Sequence, residues 1–115
     1  MKKQKKQLYE GMFIISTHLS EDARNHALKR VTSKIETFDG KTEKVIEMGR
    51  KKLAYEIRMH KEGYYYLIYF NADTNILAEL QREFHLNEDL LRFVLEKTDR
   101  VLESLEFKKL VETEG

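Results

Sequence analysis

Residues 8–17, LYEGMFIIST, form an apolar run rich in aromatic and β-branched side chains, which predicts a buried strand. Ser20 stands where a helix N-cap belongs, with Glu21 and Asp22 in the first turn, where negative charge suits the helix dipole. Ala23, Ala27, Val31, Ile35 and Phe38 then recur three or four residues apart, as one face of a helix requires, until Asp39-Gly40 ends it. From Lys41 the period changes to two. Val45, Leu53, Tyr55 and Ile57 alternate with Lys44, Lys52, Glu56 and Arg58, and Gly49 interrupts the run where a glycine marks a bulge or a bend. Residues 60–63 read as a turn and residues 64–70 as the return strand. A helix-start cluster at 71–74 leads into Ile76, Leu77, Leu80 and Phe84 on one face. Residues 87–89 break the pattern, and 90–95 make a last short strand.

The resulting order, β-α-β-β-α-β, predicts an α+β ferredoxin-like fold: a four-stranded antiparallel sheet with two helices on one face. Val31, Ile35, Leu77, Leu80 and Phe84 would cover that face, against Phe13, Ile15, Tyr66, Ile68, Phe70, Phe93 and Leu95. Pleat alternation sends Met12, Ile14, Tyr65, Leu67, Tyr69, Arg92 and Val94 to the other side. A face of that composition is too apolar to stay bare, so something is expected to cover it.

Composition narrows the chemistry. With 115 residues the chain has one domain's worth of core, divided on this reading into a basic arm (1–7), the folded domain (8–97) and a tail (98–115) that is partly helical or disordered. It has no cysteine, so disulfides, thiolate metal sites and cysteine nucleophiles are excluded, and a reducing cytoplasm fits. No apolar run reaches the length of a membrane span. His18, His26, His60 and His85 fall on different elements at no metal-ligand spacing, which reads as polar surface. The sequence contains no phosphate-binding glycine loop and no nucleophile elbow, and no acid pair stands out, so no enzyme, cofactor, metal or small-molecule substrate is expected.

The stretch 49–70, GRKKLAYEIRMHKEGYYYLIYF, carries the functional signal. It sets three consecutive cations, Arg50, Lys51 and Lys52, on a strand that leads into five aromatics within seven residues. Such a triplet can simply blunt a sheet edge. Beside Tyr55, Arg58 and the tyrosine strand it also suits an anionic partner, with cations for phosphates and rings to stack on bases. Formal net charge is only +1, so nucleic-acid binding has to rest on local patches.

The pattern resembles the bacterial small-subunit ribosomal protein number six family. The likeness is carried by Tyr9-Glu10, by Gly49-Arg50-Lys51-Lys52-Leu53-Ala54-Tyr55-Glu56-Ile57, by Gly63-Tyr64-Tyr65 and, more weakly, by residues 89–94. It spans roughly residues 8–97, and departs from the family where Glu56 replaces a common proline and at both termini. The resemblance implies a structural constituent of the 30S subunit on the cytoplasmic ribosome. It implies binding to the central domain of 16S rRNA as a heterodimer with small-subunit ribosomal protein eighteen. On that reading Arg50, Lys51, Lys52, Tyr55 and Arg92 face RNA, while Tyr65, Leu67, Tyr69 and Val94 face the partner protein. A free single-domain RNA-binding module using its open sheet face is the alternative.

Overall fold

The computed structural model describes residues 6–101. Within them the elements run β1 (Lys6–Ser16), α1 (Glu21–Thr37), β2 (Lys41–Ile57), β3 (His60–Asp73), a 3-10 turn (Thr74–Ile76), α2 (Leu77–His85) and β4 (Leu90–Lys97). The strands form one antiparallel sheet in the order β2-β3-β1-β4, with both helices packed on one face, as the ferredoxin-like plan requires. The basic lead up to residue 5 and the tail from residue 102 lie outside the described residues.

Local chemistry sets the helix ends. Ser20 Oγ accepts from the Ala23 amide at 3.2 Å, and Asp39, at a left-handed φ of 63°, turns the chain so that the Gly40 amide bonds Ile35 O. Asp73 accepts from the Asn75 amide at 2.8 Å and starts the second helical segment. Ala27, Val31 and Ile35 from α1, with Leu80 and Phe84 from α2, bury against Phe13, Ile15, Tyr66, Ile68 and Phe70. Phe93 and Leu95 close the edge, half-buried. Phe13 sits at the centre, edge-on to Phe84 with ring centroids 5.2 Å apart and stacked on Phe93 at 6.0 Å.

Two phenols in this core make its stability depend on pH. Burial pushes the Tyr9 hydroxyl above its ordinary value, with the negative charge of Asp73 adding to the effect. Burial does the same to Tyr66, against the opposing pull of Arg24, whose Nε donates to the Tyr66 hydroxyl at 3.1 Å. A group with a raised folded pKa contributes stability that is fully present below the unfolded value, about 10 for tyrosine, and lost as pH rises through the folded one. The urea midpoint should therefore hold up to about pH 10 and fall above it. Tyr9→Phe should make that fall shallower; an identical alkaline profile in the variant would show that Tyr9 does not contribute.

The β2–β3 connection differs from the expected turn at 60–63. The chain reverses at Arg58-Met59, with φ of 46° and 67°, and His60 already belongs to β3, paired with Ile57. Two left-handed central residues match the right-handed twist of a hairpin, but they ordinarily call for Asn-Gly, and neither residue is present. Side-chain bonds hold the turn instead. Arg58 donates to the carbonyls of Glu88 (3.2 Å) and Leu90 (2.5 Å), and His60 Nδ1 donates to Arg58 O at 3.0 Å. The Ser16 hydroxyl lies 2.8 Å from His60 Nε2 and accepts from the His18 amide, and the His18 and His60 rings stack at 3.9 Å. The histidine pair thus pins the hairpin to the end of β1.

Gly49 is a bulge, as expected, with φ of 88° and a register shift between Glu47 and Gly49. Its effect is to reverse the pleat. Lys44 and Ile46 stand opposite Tyr69 and Leu67, whereas beyond the bulge Gly49 and Lys51 stand opposite Tyr65 and Gly63. The single alternation read from Val45 through Leu53 and Tyr55 is therefore broken in two. A further irregularity follows, where residues 53–56 face Lys61 alone, and there the hairpin tip reaches across the sheet to Arg92 of β4.

Candidate RNA and partner-protein interface

The bulge parcels out the cationic triplet. Arg50 and Lys52 pair with Tyr64 and Glu62, so they point to the helix side, while Lys51 pairs with Gly63 and points to the other face. Arg50 and Lys52 line an open groove of about 670 Å³ with Thr17, His18, Lys61 and the two acids Glu56 and Glu62. Arg50 Nε donates to Glu62 Oε1 at 2.5 Å, and this bond and charge raise the Arg50 pKa further above its already high ordinary value. Lys52 and Lys61, both exposed, are the groove's other cations.

On the opposite face Tyr55 and Arg92, far apart in sequence, come together. Arg92 Nη1 donates to the Tyr55 hydroxyl, and its guanidinium lies 5.9 Å from the centre of that ring. Tyr55 is 59% exposed on the hairpin tip, which the irregularity at 53–56 brings to β4. Its neighbourhood is crowded. A Cβ on Gly63 would meet Ile14 Cγ2 at 2.4 Å, so only glycine lets the tip lie this close to β1.

Tyr65, Leu67, Tyr69 and Val94 share the same face but not the same exposure. Leu67 is 1% and Tyr69 0% exposed, in a second apolar cluster with Met48; Leu8, Met12, Ile46, Tyr65 and Val101 pack against it. The Tyr69 hydroxyl donates to Glu10 Oε2 at 2.7 Å. Val94 is 44% exposed near the outer edge. Two of the four expected partner residues are thus interior and two accessible. Val101, just beyond the last strand, is the one member of this cluster among the described residues that belongs to no strand.

Among the described residues no group of three or more histidines or acids is placed to hold a metal, and no helix is long and apolar enough to cross a membrane. The Ser16–His60 contact lies in the hairpin anchor already described. What the geometry offers is surface: a cationic groove on one side, and an arginine–tyrosine pair beside an apolar cluster on the other.

The ribosomal protein S6 family model matches residues 8–97. The chain is 55% identical to small ribosomal subunit protein bS6 of Chlamydia caviae over 112 residues, covering 97% of this chain and all of that protein. It is 52% identical to bS6 of Protochlamydia amoebophila over 105 residues, 91% of this chain and 92% of that one. The crystal structure of 30S ribosomal protein S6 from Thermotoga maritima superposes with a TM-score of 0.76 at 32% identity, covering 96% of this chain and 98% of that chain. A chain from the Thermotoga maritima complex of the chemotaxis kinase CheA P2 domain with CheY matches at a TM-score of 0.58 and 13% identity, over 82% of this chain and all of that chain, a likeness of fold alone. The protein is a structural component of the small ribosomal subunit on the cytoplasmic ribosome, not an enzyme. It belongs to the ribosomal protein S6 family.

Proposed function

We propose that the chain binds the central domain of 16S rRNA as a heterodimer with small-subunit ribosomal protein eighteen. The observation that carries this reading is the division of the sheet into a cationic groove and a mixed apolar face with Arg92 and Tyr55 at its rim. Arg50, Lys51, Lys52, Tyr55 and Arg92 are the RNA-facing residues on this reading, and Tyr65 and Val94 the partner-facing ones, with Leu67 and Tyr69 packed beneath them. Net charge of +1 argues that the lone chain releases few counterions and binds RNA weakly, so a basic partner has to share the load. A stand-alone module that stacks bases on its open sheet fits less well, because Tyr69, the central ring of that face, is buried.

The test is binding of a central-domain rRNA fragment at fixed salt, with and without protein eighteen. The lone chain should bind at about the nonspecific level, near 10⁻⁴–10⁻⁶ M, and the heterodimer at least about a hundredfold tighter. Tight, sequence-specific binding by the chain alone would overturn partner dependence and favour the stand-alone module.

A further inference from the structure

We propose that Arg24 and Arg50, gathered on the ring of Tyr64, form an anion site on the helix side of the sheet that grips a phosphodiester of the RNA backbone. The choice of RNA rests on the function proposed above; the pairing of the two guanidinium groups does not. Arg24 is what creates the site. Its guanidinium lies over the Tyr64 ring, 3.9 Å from the centroid, and its Nε donates to the Tyr66 hydroxyl at 3.1 Å. Arg50 stands opposite Tyr64 across the β2–β3 ladder and hydrogen-bonds the Tyr64 side chain as well as Glu62. One ring therefore holds two arginines, one on its face and one at its hydroxyl.

A structural duty explains only part of this arrangement. The buried Tyr66 needs one donor for its hydroxyl, and Arg24 Nε supplies it. Among the described residues, neither terminal NH2 group of Arg24 has a protein acceptor, and no carboxylate lies within ion-pair distance of it. Glu62 is taken up by Arg50, and Glu47, opposite Tyr66, does not pair with Arg24. Stacking and the Tyr66 bond together fix the plane of the guanidinium, so much of the entropy that a free arginine loses on binding is already lost in folding. A planar fork with both outer groups open matches two oxygens of one phosphate. Arg50 also lines the groove with Thr17, His18, Lys52 and Lys61, so the site lengthens a cationic track from the hairpin onto α1. No spacing rule joins residue 24 to residue 50. The register of β2 on β3 and the packing of α1 over Tyr64 bring them together.

Arginine side-chain NMR reads the site in the full-length chain alone, with oligouridylate as the RNA probe and inorganic phosphate as the free anion. The Arg24 and Arg50 Nε–H signals should move together as the oligonucleotide is added, at a phosphate-group concentration at least about tenfold below that needed with inorganic phosphate. Equal response to the two anions overturns the RNA backbone as the ligand. In the heterodimer with protein eighteen, Arg24→Gln should weaken binding of the central-domain fragment roughly five- to tenfold and lower the slope of log affinity against log salt by about 0.7–0.9. Arg24→Lys should restore the slope but only part of the affinity, because it keeps the charge and loses the fork. An Arg24 signal that stays still while the slope is unchanged by Arg24→Gln marks a purely structural arginine and overturns the proposal. A responding Arg24 signal with an unchanged slope upholds the site and overturns the central domain as the RNA it holds.

Discussion

Phe13→Ala is expected to destabilise the domain by about 3–5 kcal/mol, a large share of the 5–15 kcal/mol that holds a typical domain together. Phe13 is fully buried on the central strand β1, and its ring meets Phe84 from α2 and Phe93 from β4 at once. Truncation removes the transfer energy of the ring and leaves a cavity that the flanking strands cannot close, since β1 is hydrogen-bonded on both sides. At about 4–8 °C per kcal/mol for a domain of this size, the midpoint of thermal unfolding should fall by roughly 12–40 °C. Phe93→Ala should cost about half as much, because Phe93 is half-buried on an edge strand. Thermal and urea unfolding of both variants check the order. A loss below about 1 kcal/mol at Phe13 would mean that the aromatic cluster is not the keystone of the core.

Lys51→Ala and Lys52→Ala should differ from each other in the heterodimer, because the bulge puts the two side chains on opposite faces. Taking one cation away from a phosphate lowers the slope of log affinity against log salt by about 0.7–0.9. At 0.1 M salt that corresponds to roughly five- to tenfold in affinity for each lysine that touches RNA, and to as much as about a hundredfold for the pair. A fall confined to Lys52→Ala would assign RNA to the groove with Lys61. A fall confined to Lys51→Ala would assign it to the face with Tyr55 and Arg92. If the double variant binds with unchanged affinity and slope, the triplet serves only to keep the β2 edge soluble, and RNA binds elsewhere on the surface.

The regular parts of the fold could be read from the sequence because their signals are local. Ser20, Asp39-Gly40 and the 3.6-residue spacing from Ala27 to Ile35 place α1 without reference to anything else. The two-residue period from Phe13 to Ile15 and from Tyr66 to Phe70 assigned the helix-facing side correctly. What escaped depended on distant residues. Arg58-Met59 lacks turn chemistry of its own and is held by carbonyls some thirty positions away, at Glu88 and Leu90. The Tyr55–Arg92 pair exists only because the tip bends over the sheet, and no spacing rule connects residues 55 and 92. Gly49 was recognisable as a bulge, but its reversal of the pleat appears only once the register against β3 is known. The histidines looked unrelated for the same reason, although His18 and His60 are stacked.

That reversal at Gly49 makes strand parity a way of allocating charge. Every residue from Arg50 to Lys52 owes its side of the sheet to one extra residue upstream, not to its own identity. Ironing out the bulge with no residue lost would slip the register by one and exchange the addresses of the lysines, sending Lys51 to the groove and Arg50 and Lys52 to the opposite face. Deleting the extra residue together with the bulge would instead keep Arg50 opposite Tyr64 and Lys51 opposite Gly63, so every charge would stay on its side. The left-handed glycine that accommodates the extra residue is therefore what distributes the electrostatics over two surfaces, a role that no residue of the triplet itself plays.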